Sequence, residues 1–440
     1  MNNRIRINKK INQFNKIIKI EGDKSLSIRW ALLASQANGK STSTNILKSE
    51  DILSTLNCLK KLGAKIKFKK GKCIIHGVGL NGFKYKKNIT LNAGNSGTLA
   101  RLILGLLVHA TEKIKIIGDK SLSKRDFLRI TMPLEKFGAH FKTNNGKLPI
   151  IINGIKNPKP INYIENKGSA QCKSAVMLAA LNTKGLTTIK AKKSRNHSEL
   201  LFKHLNLPIS IKIKKKYDLI KIIGKKKIKQ CNYKIPSDIS SSTFFIVLTT
   251  LSNKSKIKIK NVNINPSRIG AVKILRSMGV KIIFKNIKIY KGEKIADIYV
   301  NSTKILKGIN CPSSLNTSAI DEFLVIFLVA AKAKGISYFK NLSELNQKES
   351  PRLKWGSKIL NLMGIKTITT NDSIKIFGNP KLNLNKKKIV IKNYLKDHRV
   401  FMTCVVAALS LGGNWTISDK NSIKTSFPTF LKIVNSLRSS

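Results

Sequence analysis

Acidic residues are scarce in this 440-residue chain, which has 21 Asp and Glu against 84 Lys and Arg and a formal net charge of +63. A field of that sign attracts anions, from nucleic acids and anionic lipids to small phosphorylated molecules. Only 12 of the cations are arginines, and the lysines are spread along the chain together with abundant Ile and Asn. This pattern favours a compositional bias over a dedicated nucleic-acid surface, so the charge alone identifies no partner.

Cysteines are few as well, and they lie far apart without a CxxC pair. Such thiols are typical of a reducing compartment rather than of a disulfide framework or a zinc site. We therefore expect a cytoplasmic protein without bound metal or cofactor. The six residues are Cys58, Cys73, Cys172, Cys231, Cys311 and Cys404.

Long apolar runs and aromatic residues are also missing. No run reaches the roughly 18–20 residues of a membrane span. Residues 1–10 are basic and polar with no apolar segment behind them, so no secretory signal is expected. Aromatic residues make up 6% of the chain, whereas nucleic-acid-binding proteins usually interleave them with basic residues. We expect neither a membrane nor a nucleic-acid partner.

An amphipathic helical pattern that ends at a glycine recurs along the chain, with degenerate copies ending near Leu207 and Leu437. Each copy is typical of a helix closed by a C-cap residue and followed by a strand. The clear copies end in Leu59–Ala64, Leu134–Ala139, Leu275–Val280 and Leu360–Ile365.

A second helical pattern, apolar on nearly every side, occurs six times at a spacing of roughly 70–80 residues. The paired repeats predict an α/β fold of six βαβ-containing units, three per domain, with buried helices inside and sheets outside. A chain of this length that is 42% hydrophobic can bury two cores. The apolar copies begin near Arg29, Ala100, Ser174, Ser242, Glu322 and Val400.

Ser, Asp, Asn and Gly residues precede each apolar pattern, and such residues are ordinary helix N-caps. Helix N-termini also present free N–H groups and a positive dipole end, and Lys24, Arg29 and Arg399 add full charges there. The sequence therefore predicts a polyanionic substrate in a cleft between two three-unit domains.

Arginine carries more information than lysine in this chain, because a guanidinium is used where a planar, bidentate group is needed. A structural salt bridge remains the alternative for any single one. Asp321, Glu322, Glu344 and Glu349 crowd into one short stretch of the few acids. The arginines within the motif segments are Arg29, Arg101, Arg125, Arg129, Arg195, Arg268, Arg276, Arg352 and Arg399.

Ten short motifs follow one another in the order found in a known family. They are GDKSLSIR (Gly22–Arg29), GNSGT (Gly94–Thr98) with Arg101, GDKSLSKR (Gly118–Arg125), SAQCKSA (Ser169–Ala175), SRNHSE (Ser194–Glu199), SDISSS (Ser237–Ser242), IDE (Ile320–Glu322), KESPR (Lys348–Arg352), DHR (Asp397–Arg399) and KTSFPTF (Lys424–Phe430). Across essentially the whole chain the sequence resembles the enolpyruvyl transferase superfamily, and within it the 5-enolpyruvylshikimate-3-phosphate synthases.

The resemblance implies a two-lobed inside-out α/β barrel, with residues 1–22 and 239–440 in one lobe and residues 23–238 in the other. In this family the lobes are joined by a double crossover and close over substrate, with Lys24 beside the hinge. The implied reaction transfers the enolpyruvyl group of phosphoenolpyruvate to the 5-hydroxyl of shikimate 3-phosphate and releases phosphate. The resemblance implies a monomer that is inhibited by glyphosate at the phosphoenolpyruvate site.

The resemblance also assigns residues to shikimate 3-phosphate, which carries a phosphate, a carboxylate and ring hydroxyls. Arg29 suits the carboxylate, because a guanidinium pairs with two oxygens at once. Plain N-capping is the alternative for Ser25 and Ser169. The implied set is Lys24; Ser25 and Arg29 for the carboxylate; Ser169, the Ala170 backbone, Gln171 and Arg195 for the phosphate; and Asp321 and Lys348 for the hydroxyls.

Phosphoenolpyruvate brings up to three negative charges beside the other anion, so several cations are required. Gly97 would lie against this ligand, although relaxing a turn is its ordinary use. Surface salt bridges are the alternative for Arg125 and Arg352. The implied set is Lys24, Gly97, Arg125, Gln171, Arg352, Arg399 and Lys424.

The implied chemistry is addition followed by elimination, which needs a base near the hydroxyl and an acid near the methylene. By resemblance Asp321 is the base, Glu349 carries the methylene proton, and Lys24 stabilises developing charge or shares proton transfer. His398 could assist, and a structural hydrogen bond is its alternative.

Two departures from the family pattern stand out. Asp126 replaces the usual proline after Arg125 and could weaken phosphoenolpyruvate binding if it faces the cleft, and Pro351 replaces an Asp at a helix start that tolerates proline.

The nearest rival is a sister transferase acting on a UDP-sugar, whose reactive cysteine has no counterpart here between Cys73 and Cys172. A basic nucleic-acid-binding protein, such as an RNA-end cyclase with related repeats, is the rival from another class.

Overall fold

The computed structural model describes residues 3–438, and these form two compact units. Unit 1 comprises the chain up to Glu21, Pro236–Ile289 and the chain from Lys294 onwards, whereas unit 2 comprises Gly22–Ile235 and Tyr290–Glu293. Each unit has its own hydrophobic core.

Helices and strands alternate along the chain. The α-helices are α1 (Lys24–Ser35), α2 (Glu50–Lys61), α3 (Gly97–Leu106), α4 (Leu128–Glu135), α5 (Ala170–Leu181), α6 (His197–His204), α7 (Ile239–Leu251), α8 (Gly270–Ser277), α9 (Asn316–Ala319), α10 (Phe323–Lys332), α11 (Arg352–Leu362), α12 (His398–Leu411) and α13 (Phe430–Arg438). The strands are β1 (Arg4–Ile7), β2 (Asn15–Ile18), β3 (Asn38–Thr44), β4 (Lys65–Lys69), β5 (Lys72–Val78), β6 (Ile89–Asn92), β7 (Ile114–Ile117), β8 (His140–Asn144), β9 (Lys147–Asn153), β10 (Asn162–Glu165), β11 (Leu186–Lys192), β12 (Ile209–Ile213), β13 (Tyr217–Ile223), β14 (Tyr233–Lys234), β15 (Lys256–Asn263), β16 (Ile282–Tyr290), β17 (Glu293–Asn301), β18 (Ile336–Phe339), β19 (Thr367–Thr369), β20 (Ile374–Phe377), β21 (Lys388–Ile391) and β22 (Asn414–Ser418).

Each unit contains three small sheets of related topology. In unit 2 the strand orders are β14-β3-β5-β4, β6-β7-β9-β8 and β10-β11-β13-β12. Every one of these begins with a parallel pair and continues with antiparallel strands. In unit 1 the orders are β16-β17-β15-β2, β18-β20-β19 and β1-β22-β21. The predicted α/β fold of repeated units is confirmed.

The six apolar patterns are buried helices: α1, α3 and α5 in unit 2, and α7, α10 and α12 in unit 1. Most of them begin earlier than predicted. Helix α1, for example, begins at Lys24 rather than near Arg29, because Asp23 caps it by accepting a bond from Leu26 N at 2.9 Å. Motif residues such as Lys24, Gln171 and Arg399 therefore lie in the first turns of the helices instead of in the loops before them.

The amphipathic helices end as the sequence predicts. After α2, Gly63 has φ +99°, and its neighbour Ala64 N donates to Leu59 O at 3.0 Å. This is a C-cap that glycine adopts without steric cost. After α6, Asn206 takes the same role with φ +51°, which explains the degenerate copy near Leu207.

The strands place lysine on their solvent faces. In β4 the residues Lys65, Lys67 and Lys69 are exposed while Ile66 is buried. Because side chains alternate between the two faces of a strand, a lysine bias in the composition can be accommodated on solvent faces without charging the core.

Candidate active site

Helix α1 presents two cations from its first two turns. Lys24 Nζ lies 3.0 Å from Asp51 Oδ2, and Asp51 belongs to the first turn of α2. Arg29 is only 5% exposed. Its Nε donates to Ser198 Oγ at 2.9 Å and its Nη2 to Ser174 Oγ at 3.2 Å. The guanidinium is thus held in one orientation by side chains of α6 and α5.

The first turns of α3 and α5 meet through Gln171. Its Nε2 donates to Thr98 Oγ1 at 3.0 Å, and its Oε1 accepts from Arg101 Nη1 at 2.9 Å. Gly97 lies beside two guanidinium groups: a Cβ at this position would be 2.8 Å from Arg125 Nη1 and 3.1 Å from Arg101 Nη1. Three residues assigned to phosphoenolpyruvate by resemblance, Gly97, Arg125 and Gln171, are therefore connected within unit 2 through Arg101.

Positive charge is concentrated around Arg101. Burial, followed by the charges of Arg125 and Arg129, lowers the pKa of Arg101 to about 10. Like charges held together in this way repel one another, and an anion placed among them relieves the repulsion. The arrangement is therefore suited to a multiply charged anion.

The N-terminus of α5 carries the residues that the resemblance assigns to the phosphate of shikimate 3-phosphate. Ser169 caps this helix, since its Oγ accepts from Cys172 N at 3.2 Å. Capping uses the hydroxyl oxygen as an acceptor, so the hydroxyl proton can still be donated to an anion. Ala170 opens the helix, and Arg195 lies half-buried just before α6.

In unit 1 a buried arginine gathers three carboxylates. Arg352 is 1% exposed, and its Nε and Nη2 donate to Asp397 at 2.8 and 3.1 Å. Its Nη2 also donates to Glu349, and its Nη1 lies 3.6 Å from Asp321 Oδ1. Burial would lower the pKa of Arg352, but the charges of Asp397 and Glu349 raise it above its ordinary value. The guanidinium stays charged and fixes both proposed proton carriers, Asp321 and Glu349.

Asp321 is also the meeting point of two further cations. Lys348 Nζ lies 3.3 Å from its Oδ1, and Arg399 Nη1 donates to its backbone oxygen at 2.7 Å. The residue pair before α10 and the first turn of α12 are therefore connected. Five of the residues assigned by resemblance lie together in unit 1: Asp321, Lys348, Glu349, Arg352 and Arg399.

Lys424 and His398 lie at the edge of this group. Lys424 is exposed in a short 3-10 helix, Lys420–Thr425. The next residue, Thr425, places its Oγ1 at 3.4 Å from His398 Nδ1. His398 is 3% exposed and opens α12 beside Arg399.

The two departures from the family pattern occupy defined positions. The exposed Asp126 accepts from Leu128 N at 2.9 Å, so its carboxylate serves the start of α4. Pro351 immediately precedes α11, where its missing N–H is not needed.

Several residues with a clear part in these contacts were not assigned from the sequence. Three of them contact cations assigned to the substrates: Asp397 contacts Arg352, Asp51 contacts Lys24 and Ser198 contacts Arg29. The scarcity of acids and the position of Asp397 in the same motif as Arg399 are signals that could have singled it out. Ser198 lies within the SRNHSE motif, but the motif does not show which side chain it contacts.

Within residues 3–438 no helix is long and apolar enough to cross a membrane. In the same range no cluster of three or more His, Cys, Asp or Glu residues could hold a metal ion.

The chain matches the protein-family model EPSP synthase (3-phosphoshikimate 1-carboxyvinyltransferase) over residues 8–434. Among curated proteins, it is 40% identical to the 3-phosphoshikimate 1-carboxyvinyltransferase of Ruthia magnifica subsp. Calyptogena magnifica, with 98% of this chain and 97% of the relative covered. It is 37% identical to the protein of the same name from Hydrogenovibrio crunogenus, with 96% and 94% covered.

Solved structures agree. The fold matches an EPSP synthase from Acinetobacter baumannii with a TM-score of 0.85 and 34% identity, over 99% of this chain and 98% of that one. It also matches the enolpyruvyl transferase NikO from Streptomyces tendae with a TM-score of 0.77, over 99% and 98% of the two chains. At 13% identity that second likeness shows a shared fold alone.

Proposed function

The chain belongs to the EPSP synthase (3-phosphoshikimate 1-carboxyvinyltransferase) family, and we propose which of its residues carry out the reaction. The enzyme is a transferase that moves the enolpyruvyl group of phosphoenolpyruvate onto shikimate 3-phosphate, a step of aromatic amino-acid biosynthesis. Its side chains must bind two anionic substrates next to each other and move protons between them.

Shikimate 3-phosphate is bound mainly by unit 2. Arg29 and Ser25 take its carboxylate, and the orientation of the Arg29 guanidinium by Ser198 and Ser174 supports this role. The phosphate is held by the first turn of α5, where helix N–H groups favour an anion. The residues in this proposal are Lys24, Ser25, Arg29, Ser169, Ala170, Gln171 and Arg195, with Asp321 and Lys348 for the hydroxyls.

For phosphoenolpyruvate we propose the cations that the resemblance assigns to it. Burial and repulsion from Arg125 and Arg129 lower the pKa of Arg101, which supports an anion beside Gly97. Asp397 holds Nε and Nη2 of Arg352, which fixes the direction of the remaining nitrogen, Nη1, and this nitrogen is the donor that we propose for a phosphate or carboxylate oxygen. The proposed set is Lys24, Gly97, Arg125, Gln171, Arg352, Arg399 and Lys424.

Asp321 and Glu349 carry the protons. Asp321 accepts the proton of the ring 5-hydroxyl as its oxygen bonds to the enol carbon, and Glu349 donates a proton to the methylene carbon. Glu349 then takes a proton back from the new methyl group as phosphate leaves, which restores the double bond in the product. The departing phosphate carries away the proton that Asp321 accepted, so both carboxylates return to their starting states. Lys24 balances the negative charge that develops on the intermediate.

The single observation that carries this proposal is the contact of one buried guanidinium with both carboxylates. Arg352 donates to Glu349 and lies 3.6 Å from Asp321. A base and an acid that act on neighbouring atoms must be held close together in fixed positions.

Phosphate release tests the reaction. With both substrates we expect one phosphate per phosphoenolpyruvate consumed, and none when either substrate is omitted or when shikimate 3-phosphate is replaced by a UDP-sugar. Release with the UDP-sugar would overturn the substrate assignment. The Arg29→Lys variant should raise KM for shikimate 3-phosphate at least tenfold, and Arg125→Lys should do so for phosphoenolpyruvate.

The lobe division, oligomeric state and compartment form a further part of the proposal. We place the lobe boundaries at residues 22/23 and 238/239, close to the start of α1 at Lys24 and at the start of α7 at Ile239. We propose a monomer that works in the cytoplasm and is inhibited by glyphosate. Six unbridged, buried cysteines fit a reducing compartment, and sedimentation equilibrium tests the monomer.

A further inference from the structure

Three consecutive residues of the first turn of α6, His197, Ser198 and Glu199, are buried, at 1%, 3% and 3% exposure. Each contacts a different charged side chain. The partners, in order, are Glu293 at 2.6 Å from His197 Nδ1, Arg29 at 2.9 Å from Ser198 Oγ, and Lys173 at 2.5 Å from Glu199 Oε1. Apolar residues would bury this face at lower cost, because removing charges from water is expensive even when they are paired.

Glu293 reaches α6 from a distant part of the sequence. The segment Tyr290–Glu293 belongs to unit 2, although the residues before and after it belong to unit 1. It forms the tight turn between β16 and β17, in which Lys291 and Gly292 both have positive φ, +50° and +83°. Two such residues are typical of a type I′ hairpin turn.

The turn lies directly against α6. A Cβ on Gly292 would be 3.1 Å from the backbone oxygen of Leu200, so the close approach needs a glycine here. Tyr290 fixes the start of the turn: its hydroxyl accepts from Lys234 N at 3.0 Å, and its ring packs 5.7 Å from that of Tyr233. These contacts hold Glu293 in place.

The Glu293–His197 pair controls the orientation of the residue that follows His197. With Glu293 ionised its carboxylate can only accept, so the proton between the two lies on His197 Nδ1 and the imidazole ring is fixed. Ser198 then points at Arg29, and its Oγ also lies 2.7 Å from Ser174 Oγ, which contacts the same guanidinium. Moving the first turn of α6 would move Ser198, which contacts Arg29 directly and also bonds to Ser174, the second partner of Arg29.

We propose that Glu293, through His197 and Ser198, is a positioning residue for Arg29 and thereby for the carboxylate of shikimate 3-phosphate. The inference rests on the proposed role of Arg29. It assigns a task in substrate binding to the hairpin turn Tyr290–Glu293, which lies outside the motifs of the sequence.

Steady-state kinetics of four variants test the proposal. Glu293→Ala removes the carboxylate, and Glu293→Gln keeps an oxygen that can accept from His197 Nδ1–H. Glu293→Asp keeps the charge on a side chain that is one methylene shorter. The control is Asp297→Ala on the same strand, which removes a carboxylate that accepts from Asn261 N at 2.9 Å and from Asn286 Nδ2 at 3.0 Å.

We expect Glu293→Ala to raise KM for shikimate 3-phosphate about tenfold, which corresponds to the loss of one hydrogen bond in which one of the two groups is charged. Glu293→Asp should raise it about threefold, whereas Glu293→Gln and Asp297→Ala should stay within about twofold of the parent. KM for phosphoenolpyruvate, measured at saturating shikimate 3-phosphate, should not change. Should Glu293→Ala fail to fold, Glu293→Asp gives the same comparison.

Two results would overturn the inference. One is an unchanged KM for shikimate 3-phosphate in a folded Glu293→Ala or Glu293→Asp variant. The other is an equal effect on both KM values together with a lower melting temperature, since that pattern indicates a general loss of stability. The Arg29→Lys variant distinguishes failure of the proposed role of Arg29 from failure of the positioning role of Glu293. If Arg29→Lys leaves KM for shikimate 3-phosphate unchanged, the proposed role of Arg29 is wrong, whatever the Glu293 variants show.

Discussion

Arg352 and Asp397 form a buried two-point ion pair, with Nε 2.8 Å from Oδ2 and Nη2 3.1 Å from Oδ1. Asp397 also accepts from Arg399 N at 2.9 Å and from Ser350 Oγ at 2.8 Å. One carboxylate therefore fixes an arginine, caps α12 and orders the residue before Pro351. The pair therefore links the stability of unit 1 to the proposed role of Arg352 in binding phosphoenolpyruvate.

Replacing Asp397 should weaken phosphoenolpyruvate binding. Asp397→Asn removes the charge that fixes Arg352, so we expect KM for phosphoenolpyruvate to rise about tenfold and the free energy of unfolding to fall by about 3 kcal/mol. Initial rates and denaturant unfolding measure the two effects. The matched control is Asp297→Asn, which loses a partly buried carboxylate of the same unit and should leave KM unchanged. An unaltered KM in Asp397→Asn would show that Arg352 does not depend on its partner.

The same pair predicts a pH dependence of stability. Burial would raise the pKa of Asp397, but the charge and hydrogen bonds of Arg352 lower it below its ordinary value. A depressed folded-state pKa stabilises the protein above the unfolded pKa of about 3.9 and loses this effect as pH falls through the folded value. The melting-temperature difference between parent and Asp397→Asn should therefore be constant from pH 8 to about 5 and shrink below about 4. A difference that grows on acidification contradicts the assignment.

Gly97→Ala should weaken the binding of anions beside Arg101 and Arg125. The new methyl group would meet the tips of Arg125 and Arg101 at 2.8 and 3.1 Å, and flexible side-chain ends can move aside. We expect weaker glyphosate inhibition, a KM for phosphoenolpyruvate raised several-fold and a nearly unchanged melting temperature. Gly105→Ala on the same helix is the contrast: its methyl group would lie 2.1 Å from the Ala175 backbone oxygen, so it should lower the melting temperature. An inhibition constant that Gly97→Ala leaves unchanged would remove Gly97 from the site.

The cysteines should be unreactive in the folded enzyme. All six are buried, and burial raises the pKa of Cys58, Cys73 and Cys231 to about 12 and that of Cys311 to about 11. Because the thiolate is the reactive form, a thiol reagent at pH 8 should label no cysteine within minutes and all six after denaturation. Rapid loss of activity with one labelled thiol would point instead to a cysteine at the site.

Much of the fold could be predicted from local patterns in the sequence. The glycines after α2 and α8, Gly63 and Gly279, have φ +99° and +97°, and the motif alone identifies them as helix ends. Most of the predicted helix starts are too late, because residues such as Lys24 and Gln171 look like loop residues but lie in first turns. Capping by Asp23 and Ser169 begins the helices before their apolar segments do.

The candidate site could be predicted less completely than the fold. Motifs identify Arg352 and Arg399, but a motif carries no information about what holds an arginine in place. Asp397 lies 45 residues from Arg352 in the sequence, and Glu293 lies 96 residues from His197. Such pairs depend on how the helices and hairpins pack, which local periodicity does not encode.

Proton transfer at the methylene carbon tests the central claim most directly. In D2O with both substrates, the parent enzyme should introduce deuterium into the methylene group of the product, because the intermediate methyl group gains one hydron from Glu349. Glu349→Gln should bind both substrates within about threefold of the parent by calorimetry and lose at least a hundredfold in deuterium incorporation and phosphate release. Glu344→Gln, which changes an exposed acid of the same segment, should behave as the parent does. Deuterium incorporation by Glu349→Gln at the parental rate would contradict the account.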